Sequence, residues 1–334
     1  MKIIITGAAG FLGGRLTKYL AQFPEYEIVA TSRRTHRAVE LEAAGARFVP
    51  FQFNSQSFYR QLIEGTDAVV HCAALSSPWG AYRDFYDANV LLTQQLLDGS
   101  RAEGVRSFIN ISSPTVYNDY GDIFDAKETD PLPKPINHYS ATKLLAEAEV
   151  QRAHSDKFRT LSFRPRAIIG AEDTVIFPRL MRAYAEGRLR MIGDGKNVVD
   201  FTAVENLCYA IRLALEAPDR AFGRTYNISN GQAEPLWKVI NMLLAKLGEN
   251  PVRKRIPYPL ADMFARIAEW RARRGDGSEP ALTRYGIAVL ARSFTLDISA
   301  ARKYLGYEPQ VTTEEALDEF LEWHRQKAAT TVDA

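Results

Sequence analysis

Cysteine is scarce in this chain of 334 residues, and its two cysteines, Cys72 and Cys208, are far apart in the sequence. Two thiols separated in this way cannot build a disulfide framework or a multi-cysteine metal site, so we predict no bound metal. Few cysteines without a disulfide pattern are also typical of a reducing compartment. We therefore expect a cytoplasmic protein.

A surplus of one charge and a long apolar run are also missing. The 42 Lys and Arg nearly balance 40 Asp and Glu, whereas recognition of duplex nucleic acid normally needs a concentrated basic surplus. No stretch approaches the about 18 apolar residues of a membrane span, and the N-terminal residues lack the apolar core of a signal peptide. These absences argue against a nucleic-acid partner, a membrane-spanning protein and an exported one.

Short β-branched runs alternate with amphipathic stretches of helical length, in a chain with 46% hydrophobic residues. The predicted strands of the first half are 2–6, 27–32, 47–53, 68–73, 107–112 and 161–169, and the predicted helices are 13–22, 58–63, 85–103 and 139–153. Later helices are expected at 178–186, 204–216 and 236–247, with strands near 188–192 and 225–228. Such alternation predicts right-handed βαβ crossovers and an α/β fold, a Rossmann-type doubly wound parallel sheet.

The pattern becomes less regular in the C-terminal third, where we expect a smaller substrate-binding lid. Residues 1–170, completed by about 195–230, would form the dinucleotide-binding Rossmann domain. Residues 171–194 and 231–327 would form the lid over the carboxyl ends of the strands, where open α/β sheets bind ligands. Residues 328–334 are small and polar, and we expect a frayed tail.

A glycine-rich turn at residues 6–13 follows the first predicted strand directly. Its three glycines have the spacing that a tight turn, a close phosphate approach and a helix-packing contact require. The helix that follows would direct its N-terminus at a pyrophosphate. We expect the loop to hold a dinucleotide through Gly7, Gly10, Phe11, Leu12 and Gly13.

The residues at the end of the second predicted strand indicate which dinucleotide binds. An NAD-type site places Asp or Glu there, to accept hydrogen bonds from the ribose hydroxyls. This chain has Ser32, Arg33 and Arg34 instead. Two guanidinium groups can bind a 2′-phosphate, which a carboxylate would repel, so we predict NADP(H) in preference to NAD(H). The alternative is a solvated basic turn.

Tyr139 and Lys143 lie four residues apart, on one face of a predicted helix. A nearby cation lowers the pKa of a phenol from its usual value of about 10. The tyrosine would then donate or accept the proton that accompanies hydride transfer.

Together these motifs resemble those of the extended short-chain dehydrogenases/reductases: the TGxxGxxG-type loop, a Ser112-Ser113 pair in a stretch ending at Tyr117, and YxxxK. The resemblance covers nearly the whole chain. It implies that Tyr139 is the acid/base and also contacts the cofactor, and that Ser113 polarises the substrate oxygen. It implies as well that Lys143 binds the nicotinamide ribose and tunes Tyr139, and that Asn89 is a catalytic residue beside this relay. It implies further cofactor contacts from Gln52, Phe53, Ala73, Ala74, Pro165 and Ile168, and substrate contacts from Ser76, Trp79, Tyr82, Ser113 and Arg166.

Residues 195–206 resemble the 3β-hydroxysteroid dehydrogenase branch, in which 2-alkyl-3-oxoalkanoate reductases and sterol-4α-carboxylate 3-dehydrogenases are the most similar groups. Ala167 and Val199 replace the Asn and Arg that nucleotide-sugar enzymes usually carry, which argues against an epimerase or dehydratase. The resemblance implies hydride transfer to or from the C3 oxygen of a hydrophobic 3-oxo or 3-hydroxy acid, with reduction favoured. Arg166 is the candidate cation for the carboxylate, and an ion pair within the protein is its alternative.

The sequence is also compatible with two other functions. One is an NAD(P)-dependent sterol or 3β-hydroxysteroid dehydrogenase that works oxidatively. The other is a redox-sensing NADP-binding protein without turnover, against which the intact set of Ser113, Tyr139 and Lys143 argues.

Residues 259–274 predict an amphipathic basic helix. Its apolar residues recur at helical spacing and are Leu260, Met263, Phe264, Ile267 and Trp270. Its arginines occupy other positions around the helix and are Arg266, Arg271, Arg273 and Arg274. The favoured interpretation is a lid helix packed on the core, and the alternatives are an apolar substrate mouth or a peripheral membrane contact. The family resemblance also implies a homodimer formed through helices 85–103 and 139–153.

Overall fold

A parallel sheet of seven strands forms the centre of the molecule, and from one edge to the other these strands begin at residues 224, 159, 107, 68, 2, 27 and 47. The computed structural model describes residues 1–53, 55–275 and 277–332. The strands are β1 (Lys2–Thr6), β2 (Glu27–Ser32), β3 (Arg47–Pro50), β4 (Ala68–His71), β5 (Ser107–Ile111), β6 (Ile123–Ala126), β7 (Arg159–Pro165), β8 (Ile168–Ile169), β9 (Met191–Ile192), β10 (Val198–Val199), β11 (Thr202–Ala203), β12 (Arg224–Ile228), β13 (Glu234–Pro235), β14 (Arg255–Ile256) and β15 (Phe294–Leu296).

Helices cover both faces of this sheet. They are α1 (Phe11–Leu20), α2 (Ala38–Ala43), α3 (Gln56–Ile63), α4 (Tyr82–Phe85), α5 (Leu92–Ala102), α6 (His138–Ala153), α7 (Ile176–Ala185), α8 (Val204–Glu216), α9 (Leu236–Lys246), α10 (Tyr258–Arg274), α11 (Arg284–Ala291), α12 (Ser299–Leu305) and α13 (Thr313–Val332). A π-helical turn, Tyr86–Leu91, joins α4 to α5, and short 3₁₀ helices occupy Pro114–Tyr117 and Asp219–Ala221.

Alternation along β1 shows how the two faces are built. Ile3 and Ile5 pack into the cluster that contains Leu16 of α1 and Leu207 of α8. Ile4 points to the other face and packs into the cluster that contains residues of α3 and α5. Successive side chains of a strand point to opposite faces, so a strand with apolar residues throughout is buried on both sides. This confirms the predicted α/β fold with a Rossmann-type doubly wound parallel sheet.

Several predicted element ends differ from the structure for local reasons. The strand predicted at 47–53 ends at Pro50, which has no N–H to donate to a neighbouring strand. The strand predicted at 161–169 is divided into β7 and β8, because Ala167 between them has a left-handed φ of 43°. The helix predicted at 85–103 begins earlier, at Tyr82, and contains the π turn.

The C-terminal part of the chain builds a second layer beside the carboxyl ends of the main strands. The four-stranded sheet of this layer has the order β13-β10-β15-β6, and its strand β6 comes from the N-terminal half of the chain. A separate apolar cluster includes Phe177, Trp237, Leu243 and Phe320. The outermost strand of the main sheet, β12, comes from residues 224–228, after the first segment of this layer. Helix α13 continues to Val332, so residues 328–332 are helical rather than a frayed tail, and 333–334 lie outside the described residues.

Helix α10 packs differently from the favoured sequence interpretation. The residues that it buries are Ala261 and Ala265, whereas the larger apolar residues lie on the exposed side. The expectation that Leu260, Met263, Phe264, Ile267 and Trp270 pack on the core is therefore wrong. Small residues give α10 a close approach to α11, and this approach leaves the larger side chains on the other side of the helix.

Candidate active site

The glycine loop lies between β1 and α1 and leaves the N-terminus of α1 open. Gly7 has a φ of +68°, and a Cβ there would come within 2.7 Å of the Ala73 backbone nitrogen. A Cβ on Gly13 would overlap the carbonyl of Gly7. Gly10 caps α1 without any side-chain hydrogen bond, so the first backbone N–H groups of the helix, those of Phe11 and Leu12 among them, are available to an anion. These features fit a dinucleotide pyrophosphate.

The predicted adenosine end of the site lies at the carboxyl end of β2. Arg33 and Arg34 follow the half-buried Ser32 and are both exposed. The backbone N–H of Phe51 donates to the Ser32 carbonyl at 3.0 Å, which places the Gln52-Phe53 segment beside them. Phe53 packs partly into the core and Gln52 is exposed. The structure therefore brings these five predicted cofactor contacts to one edge.

The segment after β4 passes directly beside the glycine loop. The N–H of Ala73 donates to Thr6 Oγ1 at 3.2 Å, and Ala74 is exposed next to it. Thr6 Oγ1 and His71 Nδ1 are 2.7 Å apart, and burial lowers the pKa of His71 to about 3. His71 is thus a packed, neutral histidine. Burial also raises the pKa of the Cys72 thiol to about 12, which keeps it protonated.

The predicted catalytic groups lie around Tyr139. It lies in the first turn of α6, where Asn137 and Ser140 form a reciprocal capping box that fixes the start of the helix. Ser113 and Ser76 lie near enough to the Tyr139 hydroxyl that each lowers its pKa, in opposition to burial. Ser113 Oγ also lies 2.8 Å from Thr115 Oγ1. The tertiary structure thus joins three segments that are distant in sequence.

Lys143 lies one turn after Tyr139 and is only 4% exposed. Its ammonium group donates to the Ile111 carbonyl at 2.7 Å, at the end of β5. Burial lowers the pKa of Lys143 to about 8, and burial raises the pKa of Tyr139 above its usual value. The expected lowering of the Tyr139 pKa by Lys143 is therefore wrong for this structure, because desolvation of the phenol outweighs any cationic effect.

Asn89 connects two segments of the site by hydrogen bonds. Its Oδ1 accepts from the Leu75 N–H at 2.7 Å, and its Nδ2 donates to Thr142 Oγ1 at 3.0 Å. These contacts tie the residue before Ser76 to the residue before Lys143. In this geometry Asn89 positions the loop of Ser76 against α6.

The remaining predicted contacts belong to two parts of the fold. Pro165 ends β7, and Ile168 follows it in β8. In the second part, the Tyr82 ring packs edge-on against His138, the neighbour of Tyr139, with centroids 5.5 Å apart. Trp79 lies farther out, where its Nε1 donates to the Gly277 carbonyl at 2.8 Å.

Arg166 is buried, with 8% exposure, and lies near Tyr285 and Asp200. Its guanidinium is 4.5 Å from the centre of the Phe294 ring, and its Nε has no hydrogen-bond partner among the residues that the structure describes. Burial lowers the pKa of Arg166, while Tyr285 and Asp200 act in the opposite direction. A buried cation with an unpaired N–H is costly, so it is normally paired with an anion.

Tyr285 is a site residue that the sequence reasoning missed. Its hydroxyl lies 3.4 Å from Thr115 Oγ1, and its proximity further raises the pKa of Tyr139. It comes from α11, far along the chain from α6. No motif described above includes Tyr285, and only the contact of α11 with the 3₁₀ helix Pro114–Tyr117 brings it to the site.

The pKa values of Lys143 and Tyr139 predict how cofactor binding depends on pH. The Lys143 ammonium loses its proton as the pH rises through about 8, which removes a charged donor for the ribose. The KM for the cofactor should therefore increase severalfold between about pH 7 and pH 9. Reductive kcat should stay nearly constant there, since Tyr139 keeps its proton to higher pH.

Initial rates over this pH range test the prediction in the wild type and in Lys143→Met. The variant has no charge to lose, so its cofactor KM should be high and independent of pH. A wild-type KM that stays constant across the range would contradict the role of Lys143.

Comparison with known proteins agrees with this geometry. The family model described as NAD dependent epimerase/dehydratase matches residues 3–229. The chain is 34% identical to 2-alkyl-3-oxoalkanoate reductase of Stenotrophomonas maltophilia, over 95% of this chain and 97% of that protein. It is 30% identical to a decarboxylating sterol-4-alpha-carboxylate 3-dehydrogenase of Mus musculus, over 95% of this chain and 89% of that protein.

A solved structure supports the fold. UDP-glucuronic acid 4-epimerase from Bacillus cereus, in complex with NAD, superposes with a TM-score of 0.77 and 24% identity, over 98% of this chain and 99% of that one. Since the family model matches most of the chain and both curated relatives align along nearly its whole length, this chain belongs to the NAD dependent epimerase/dehydratase family of extended short-chain dehydrogenases/reductases.

Proposed function

We propose that this protein is an NADP(H)-dependent oxidoreductase that transfers hydride to or from the C3 oxygen function of a hydrophobic 3-oxo or 3-hydroxy acid. The observation that carries the proposal is the convergence of the Ser76 and Ser113 hydroxyls on the hydroxyl of Tyr139. Lys143 lies one turn away, and the open glycine loop lies at the same edge of the sheet. A proton donor, a carbonyl-polarising hydroxyl and a dinucleotide cradle are the parts that carbonyl reduction requires.

The protonation state of Tyr139 supports reduction as the physiological direction. When bound, NADPH supplies the hydride that forms the new C–H bond. Tyr139 then donates its hydroxyl proton to the former carbonyl oxygen, while Ser113 stabilises the developing negative charge on that oxygen by a hydrogen bond. Because burial raises the pKa of Tyr139, the phenol carries its proton at neutral pH and is ready to donate it.

The NADP(H) preference rests on the end of β2. Arg33 and Arg34 are exposed there, at the position where an NAD-type site places a carboxylate. Guanidinium groups suit a phosphate because they offer planar, charged, paired donors.

The substrate carboxylate is assigned to Arg166. Asp200 is the only carboxyl group that acts on the charge of Arg166 among the described residues, and its Oδ2 accepts from the Leu296 N–H at 2.7 Å. Asp200 makes no ion pair with Arg166 in this part of the chain, so the buried guanidinium lacks a close counterion. A substrate carboxylate would supply that counterion. The names of both curated relatives, an oxoalkanoate reductase and a sterol carboxylate dehydrogenase, include such a group.

Replacing Arg166 by Ala should raise the KM for a 2-alkyl-3-oxo acid by at least about tenfold, since a charge-assisted hydrogen bond is lost. The matched ketone that lacks the carboxylate should show little change. Steady-state kinetics on both substrates, with circular dichroism to verify folding, make the comparison. Equal changes for acid and ketone in a folded variant would rule out carboxylate recognition by Arg166.

Absorbance of the reduced nicotinamide tests the function as a whole. NADPH and NADH are each offered with 2-alkyl-3-oxo acids and 3-ketosteroids, and the oxidised cofactors with UDP-sugars and with sterol carboxylates. The proposal predicts turnover of the linear 3-oxo acids with NADPH. Turnover of sterol carboxylates alone would favour the decarboxylating dehydrogenase named among the relatives. Tight NADPH binding without turnover of any substrate would favour a sensor.

A further inference from the structure

An apolar stripe runs along the exposed side of α10. Its members are each 39–53% exposed, and they are Leu260, Met263, Phe264, Ile267 and Trp270. At about 100° per residue these positions fall within an arc of about 120°. Five large apolar side chains gathered on one face of a helix are more than the scattered exposed residues that are normal on a surface.

The opposite side of α10 is firmly attached to the protein. Ala261 and Ala265 are buried in a cluster with Ile192 and Ile287. Asp262 accepts from Arg284 Nε at 2.9 Å, and Glu269 accepts from the Arg284 N–H at 2.7 Å. The stripe therefore belongs to a helix that is fixed on its other side. Within α10, Asp262 also pairs with Arg266 at 2.7 Å and Glu269 with Arg273 at 3.8 Å.

Cations surround the stripe. Residues 253–274 contain seven Lys and Arg but only two Asp and Glu, although the whole chain is nearly balanced. Arg271, Arg273 and Arg274 are exposed in the last turn, and the Arg274 guanidinium is 4.3 Å from the centre of the Trp270 ring. An exposed Trp beside arginines suits the level of lipid headgroups, where aromatic rings and long cationic side chains are both stable.

We propose that α10 docks this protein on the surface of an anionic bilayer, with the stripe in the headgroup and acyl boundary and the arginines on the anionic headgroups. No helix of the described residues is long and apolar enough to cross a membrane, so the contact is a surface one. Charge complementarity selects lipid over a second copy of the chain. A symmetric contact through this face would bring the arginines of one protomer close to those of its partner.

The end of α10 lies next to the loop that contains Ser76 and Trp79. Arg273 lies 5.6 Å from the centre of the Trp79 ring, and Trp79 donates to the Gly277 carbonyl just beyond α10. Trp79 is three residues after Ser76, which is near enough to Tyr139 to lower its pKa. A molecule dissolved in the bilayer would thus meet the protein beside the loop that leads to Tyr139. The docking itself does not depend on which substrate the enzyme uses.

Sedimentation with vesicles tests the proposal on the full chain. We expect binding to phosphatidylcholine vesicles containing about one-third phosphatidylglycerol, weaker binding to phosphatidylcholine alone, and weaker binding at high salt. Phe264→Glu and Trp270→Glu should each lower the partition coefficient by at least about tenfold. Phe124→Glu is the matched control, because Phe124 is 63% exposed on β6 and is not part of the stripe, and it should bind like the wild type.

Two outcomes would overturn the proposal. One is a wild-type protein that does not sediment with anionic vesicles at low salt. The other is binding that Phe264→Glu and Trp270→Glu leave unchanged while circular dichroism shows them folded. Sedimentation velocity without lipid identifies the competing occupant, since a dimer that these variants dissociate would assign the stripe to a second copy. Turnover of a water-soluble substrate should be equal in all variants, which separates docking from catalysis.

Discussion

Replacing Tyr139 by Phe should lower kcat for reduction by about a thousandfold, which is within the range of general acid catalysis. The change removes one hydroxyl and keeps the ring that packs at the start of α6. Ser76 and Ser113 would still hydrogen bond to the substrate oxygen, but neither has an acidity suited to protonating it at neutral pH. The residual rate would come from binding and from hydrogen bonding alone.

The measurement is single-turnover oxidation of NADPH with a saturating 3-oxo acid, together with the cofactor Kd from fluorescence. The Kd should change by less than about twofold, because the cofactor cradle is built by the glycine loop and β2. Tyr184→Phe is the control, since its hydroxyl donates to the Asn250 carbonyl far from the site. A Tyr139→Phe enzyme that retains a tenth of the wild-type rate would remove Tyr139 from its proposed role.

The double variant Arg33→Ala/Arg34→Ala should raise the KM for NADPH by about a hundredfold and the KM for NADH by less than about threefold. Each guanidinium can make charge-assisted hydrogen bonds to the 2′-phosphate, and NADH has no such group to lose. Screening by salt limits these exposed contacts, so the effect should be largest at low ionic strength.

Arg47→Ala provides a matched control for that experiment. Arg47 is also exposed but lies at the opposite end of β3, which is adjacent to β2. Its removal changes the net charge by one unit without approaching the predicted phosphate. Equal effects of the double variant on NADPH and NADH would contradict the NADP(H) preference and would indicate a contact shared by both cofactors.

The amino-acid sequence alone determined the repeating order of strands and helices and the position of the glycine loop. These features depend on short-range rules. Apolar periodicity specifies which face of an element is buried, and only glycine can occupy positions such as Gly7, with its φ of +68°. The four-residue spacing likewise placed Tyr139 and Lys143 on one face of α6 before any tertiary contact was known.

Tertiary structure alone decided the electrostatics of the site and its remaining members. The sequence placed Lys143 near Tyr139, yet burial raises the pKa of that phenol, because desolvation depends on what covers a group. Tyr285 and Thr115 come from distant segments and meet only after folding. Helix α10 shows the same limit. Its pattern predicted an apolar face, but contact with α11 through Ala261 and Ala265 determined that this face points outward, since periodicity defines a face and not its partner.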